Sequence, residues 1–280
     1  MNFFAMFFEI LCYAVLPPLL FGLAVCGCRR AFCFFVGEES GLALIRFASV
    51  LSTPVREAGH AMMAVLFWHR LEEVRMLDLR DPDGEYGFVE HSYNPRNPFA
   101  VLGNFFFAVG PAVTGLFLTL VILLSCFNGV LAPFFRSVAL LGEQGAGFSA
   151  YACATVSLLA RMFGAEGGAI ALRVLGCVLL LALCLGIYVT PTEILDGLAG
   201  LGVLSALLAA VIGVILLFDD GRVASMILSA FRSYATAVTA LFLVVLAFAL
   251  AVVAIGALFG AVRTLFNIDG RTNGSESEEN

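Results

Sequence analysis

Apolar runs long enough to cross a lipid bilayer constrain this chain more than any other feature. They cover residues 3–28, 170–190, 198–218 and 235–262, with a longer run at 99–127 that contains Gly110 and Pro111. About 20 helical residues span roughly 30 Å of hydrocarbon. Backbone placed in lipid must satisfy its own hydrogen bonds, so each run is expected to be a helix. A further run at 41–68 carries Arg46, Arg56, Glu57 and His60. Ionisable groups at such depth face a polar interior or a partner rather than lipid. With 61% hydrophobic and 13% charged residues among 280, a water-soluble domain of this length could not cover its apolar surface. The expectation is an all-α polytopic membrane protein with about six transmembrane helices, embedded in a lipid bilayer.

The first run has no basic residue ahead of it and no small-residue cleavage site, so it reads as a retained helix rather than a secretion signal. Orientation stays open, because Arg29 and Arg30 follow the first run while Arg70, Arg75, Arg80 and Arg96 crowd the next polar stretch. The net charge of −6 rests largely on the loops and on an acidic tail at 269–280, whose composition predicts disorder. No basic stripe with interleaved aromatics points to nucleic acid. Most of the eight cysteines lie in apolar runs and read as small packing residues; Cys26 and Cys28 lack the two-residue gap of zinc or redox pairs.

One substantial polar stretch, 69–98, interrupts this pattern. Alternating segments at 73–79 and 86–91 flank Asp81-Pro82-Asp83-Gly84-Glu85, which is rich in turn formers and predicts a β-hairpin. Its edge offers main-chain groups to an extended peptide. The chain then divides into an N-terminal helix and loop at 1–40, a membrane core at 41–218 with the hairpin at 69–98, a C-terminal helix region at 219–268, and the tail at 269–280.

Residues 53–60 read Thr-Pro-Val-Arg-Glu-Ala-Gly-His. In the His-Glu-x-x-His helix of zinc proteases, two histidines one turn apart hold the metal and the glutamate activates water. Arg56 stands in the first histidine's place, followed by Glu57, Gly59 and His60. A second polar point, Thr190-Pro191-Thr192-Glu193-Ile194-Leu195-Asp196-Gly197, separates two apolar runs. Proline and glycine there predict irregular backbone beside Asp196, with a helix cap at a membrane surface as the alternative.

In order and in motif the chain resembles the site-2 protease family of intramembrane zinc metalloproteases. Arg56-Glu57-Ala58-Gly59-His60 is followed by the hairpin, by a helix with Gly110-Pro111, and by Leu195-Asp196-Gly197. The run Gly87-Phe88-Val89-Glu90-His91-Ser92-Tyr93-Asn94-Pro95 is similar to one in a bacterial branch of that family. The resemblance covers roughly residues 41–218. It implies that His60 and Asp196 are metal ligands, that Glu57 is the general base, and that the setting is a bacterial inner membrane.

Arg56 breaks this scheme, because a guanidinium has no lone pair and stays protonated. Three readings follow. In the first, Arg56 pairs with Asp196 or Glu57, with Asp196 preferred, and the chain is a pseudoprotease that binds transmembrane or membrane-proximal polypeptides. In the second, His91 completes a zinc site and the chain cleaves transmembrane substrates. In the third, the chain is a structural or transport component, with Gly256 and Gly260 available to a partner helix or to ordinary packing.

Overall fold

The computed structural model describes residues 2–79, 86–144, 148–164, 169–218 and 221–265. Among them are eight helices, α1 (Phe3–Val36), α2 (Glu38–Leu66), α3 (Pro98–Cys126), α4 (Asn128–Glu143), α5 (Phe148–Phe163), α6 (Ile170–Cys184), α7 (Pro191–Phe218) and α8 (Arg222–Leu265), and two strands, β1 (Arg70–Arg75) and β2 (Phe88–Ser92). Four helices, α1, α3, α7 and α8, are long and apolar enough to cross a membrane. The expected runs at 41–68 and 170–190 fall outside that set. α2 carries too much charge, and α6 stops at Cys184 after 15 residues, about 22 Å of rise.

Leucine, valine and phenylalanine side chains cover the outside of these helices. On α7 only Gly197, Gly200 and Ile212 are buried, while Leu198, Leu207, Val211, Val214 and Leu217 face outward. Exposed apolar surface on this scale suits hydrocarbon and not water. Arg56, Glu57 and His60 of α2 and Gly87, Phe88 and Val89 of the hairpin arm gather instead around one cleft.

Glycines set how closely the helices approach. A Cβ on Gly59 of α2 would lie 2.7 Å from the backbone of Gly110 on α3, and one on Gly110 would lie 2.7 Å from the Gly59 carbonyl oxygen. Thr114 Oγ1 donates across the same crossing to the Val55 carbonyl at 3.0 Å. α3 runs on as a helix through Gly110 and Pro111, so this pair marks a helix crossing. Gly197 and Gly200 seat α7 against α3 in the same way, a Cβ on Gly200 lying 2.6 Å from the Phe105 nitrogen. Gly256 and Gly260 of α8 pack on Phe32 and Phe35 of α1, so this small-residue pair serves packing within the chain.

The hairpin forms earlier in its first arm than the alternation predicts. α2 ends in a Schellman-type turn, with the His69 N–H donating to the Ala64 carbonyl at 2.8 Å and Trp68 in the left-handed region at φ 62°. That turn delivers Arg70 directly into β1. The strands pair antiparallel, Arg70 opposite Ser92 and Arg75 opposite Phe88, with a bulge between Leu71 and Glu73. Pairing extends past them through the Asp78 N–H to the Tyr86 carbonyl at 2.6 Å. The expected turn at 81–85 and the acidic tail at 269–280 lie outside the described residues. Gly87 lets β2 lie against α2, since a Cβ there would stand 2.7 Å from Thr53 and 3.0 Å from Glu57.

Candidate functional site

Glu57, His60 and Arg56 converge because the α2 face that carries them is pressed between α3, the hairpin and the start of α7. Glu57 is 1% exposed and His60 3%. Arg56 Nη1 donates to Glu57 Oε1 at 2.7 Å, and Arg56 Nη2 donates to Glu193 Oε1. His60 Nε2 lies 3.2 Å from that same Glu193 oxygen. His60 Nδ1 faces the Phe107 carbonyl at 3.0 Å, and because a carbonyl only accepts, Nδ1 carries the hydrogen. The guanidinium stacks 4.9 Å from the ring centre of Tyr188, and its Nε is buried without an acceptor among the described residues.

The partner of Arg56 across the bundle is therefore Glu193, not Asp196. Glu193 is aimed by a capping box at the start of α7. Its backbone N–H donates to Thr190 Oγ1 at 3.2 Å while its Oε2 accepts from the Thr190 N–H at 2.7 Å. This leaves Oε1 for Arg56 and His60. Asp196 sits one turn further along, within regular helix and exposed, and makes no ion pair among the described residues; the irregular backbone lies before Pro191. Glu57, adjacent in sequence to Arg56, also pairs with it, because the long arginine side chain bends back over its neighbour.

A cleft of ≈ 330 Å³ opens beside these groups, walled by Arg56, Glu57, His60 and Glu193 on one side and by Gly87, Phe88 and Val89 of the hairpin arm on the other. Arg29 and Tyr188 stand at its margin, 5.2 Å from guanidinium to ring centre. Glu193 carries a sequence signal, the Thr-x-x-Glu spacing, that identifies it as a cap residue folded back toward the helix start. Tyr188 carries no such signal.

His91 lies outside this cleft lining. Its ring packs 4.1 Å from Phe107, whose other neighbour is the His60 ring at 4.4 Å. On the far side His91 stacks on His69 at 4.8 Å, and His69 stacks on Tyr93 at 5.1 Å. Burial, then the neighbouring His69 and His60, lower His91 from 6.5 to about 4, against the opposing pull of Asp196 and Glu72. His69 is anchored by Nε2 donating to the Ala100 carbonyl at 2.7 Å.

Zinc does not fit the residues at the 56-and-60 face. The guanidinium occupies the side where a second histidine would stand and draws both Glu57 and Glu193 to itself. His60 is left as the one nitrogen donor, with its Nε2 directed at a carboxylate already shared with Arg56.

The long apolar helices, the exposed apolar surface and the enclosed polar cleft fit a multi-pass membrane protein of the helical class. No family model, curated protein or solved structure matches the chain.

Proposed function

We propose that this chain is a proteolytically silent relative of the site-2 proteases, seated in a bacterial inner membrane with about six spans, that holds a transmembrane or membrane-proximal polypeptide without cleaving it. One observation carries the reading: Arg56 bridges Glu57 and Glu193 where the resemblance calls for a metal-binding histidine. With its carboxylates tied to a guanidinium, the cleft has neither a metal seat nor a free general base. It retains a wall of hairpin backbone along which an extended segment would add main-chain hydrogen bonds. The ring of Phe107 between His60 and His91 argues against His91 as a replacement ligand.

Elemental analysis of detergent-purified protein tests this reading. The natural chain is expected to carry no zinc, and R56H to acquire about one ion, because histidines at 56 and 60 lie one helical turn apart. Adding E193Q or D196N to R56H then identifies the third ligand as the change that abolishes binding. Near-stoichiometric zinc in the natural chain overturns the proposal.

A further inference from the structure

A second cationic feature lies just outside the cleft. Arg29 and Arg30 sit on α1 and, with Cys26, Phe34, Tyr188 and Thr190, line a pocket of ≈ 540 Å³ between α1 and the connector from α6 to α7. The connector is fixed there by the Val189 N–H donating to the Gly22 carbonyl at 3.3 Å. Neither arginine makes an ion pair among the described residues, and Arg29 is held by the face of Tyr188. Two guanidinium groups one residue apart, without a carboxylate, make a seat for an anion.

Its level in the membrane identifies the anion. On α1 the nearest preceding charge is Glu9, which pairs with Arg232 at 3.1 Å. Between Glu9 and Arg29 lie residues 10–28 without a charge. These 19 residues rise about 28 Å, close to the roughly 30 Å of a hydrocarbon core, so the arginines emerge at the headgroup level. On the side of the uncharged stretch the same pocket is lined by Cys26 of α1, so its floor meets the hydrocarbon level. A phosphate next to hydrocarbon is the chemistry of a phospholipid, and basic pockets between membrane helices suit anionic headgroups.

We propose that Arg29, Arg30, Tyr188 and Thr190 form a binding site for the phosphate headgroup of an anionic phospholipid at the mouth of the cleft. The arginines bind the phosphate and the Tyr188 ring fixes Arg29. Because Tyr188 also stacks on Arg56, the lipid stands one aromatic ring away from the buried charge cluster.

Native mass spectrometry of the full chain in mixed micelles of phosphatidylglycerol and phosphatidylcholine tests the site. Preferential retention of phosphatidylglycerol is expected, falling roughly 10- to 30-fold in R29Q/R30Q at about one kcal/mol per arginine. Both proteins are first matched for thermal unfolding without added lipid; if R29Q/R30Q is unstable, R30Q alone is read, with a smaller loss expected. Equal retention of the two lipids, or unchanged selectivity in the variants, overturns the proposal. So does competition by inorganic phosphate at equal concentration, which would make the ligand free phosphate. Selectivity that emerges only after removal of the acidic residues 266–280 likewise overturns it, assigning the arginines to that tail.

Discussion

Replacing Arg56 by glutamine removes the positive charge between two enclosed carboxylates while keeping a polar side chain. Glu57 and Glu193, at 1% and 14% side-chain exposure, would then face each other with only His60 between them. Removing one partner of a buried ion pair costs about 3–5 kcal/mol, because the stranded charge cannot recover its hydration. Loss of the stacking on Tyr188 adds about 0.5–2 kcal/mol. These sum to about 3.5–7 kcal/mol, and at roughly 2–4 °C per kcal/mol for a chain of this order of size R56Q should unfold roughly 7–28 °C below the natural protein. The assay is loss of helical circular dichroism in one detergent at one scan rate, since unfolding of such proteins is governed by rate. In R56Q/E193Q the second change should recover part of the loss, giving a double-mutant coupling well beyond additivity. A shift of under about 1 °C in R56Q, or strict additivity, would mean that the guanidinium does not hold these carboxylates, and the account of the site would fail.

Other expectations follow from single residues. His91 has a lowered folded value, so the unfolded chain binds more protons between about pH 6.5 and 4 and stability should fall as pH drops through that window. Discounted for partial exposure, the loss is about 1–2 kcal/mol, and His91→Phe should remove that part of the pH profile in thermal unfolding. Gly59→Ala places a methyl group against the Gly110 backbone and should cost about 1–3 kcal/mol or more. Gly202→Ala, with no atom within 4 Å of the added carbon, should be neutral or gain up to about 1 kcal/mol from helix propensity. Equal melting temperatures for these two alanine variants would refute the crossing argument.

Much of the frame was legible in residue pattern. Apolar runs predicted α1, α3, α7 and α8, and alternation predicted the hairpin, because both signals depend on local periodicity. The ends were less legible. β1 starts at Arg70 since the turn at Trp68 and His69 reverses the chain at once, and α7 starts at Pro191 since Thr190 and Glu193 cap it. Short α4 and α5 were not anticipated; at 16 residues each they are too brief to announce themselves as spans. At the site, Arg56, Glu57 and His60 converge as one helical face requires, but the choice between Glu193 and Asp196 turns on side-chain direction. Both lie near the start of α7, three residues apart, and only the reciprocal cap decides which one reaches Arg56.

The bridge from Arg56 to Glu193 joins residues 137 positions apart, and this has a consequence for how the chain is made. At about 5–20 residues per second, ribosomes deliver Glu193 roughly 7–27 s after Arg56. Until α7 is made, Glu57 is the one of its two carboxylate partners available to Arg56. The crossing with α3 is available to α2 in that interval, and the bridge to Glu193 closes once α7 emerges. The polar contacts of α2 therefore become available in two stages, with α3 first and with α7 later.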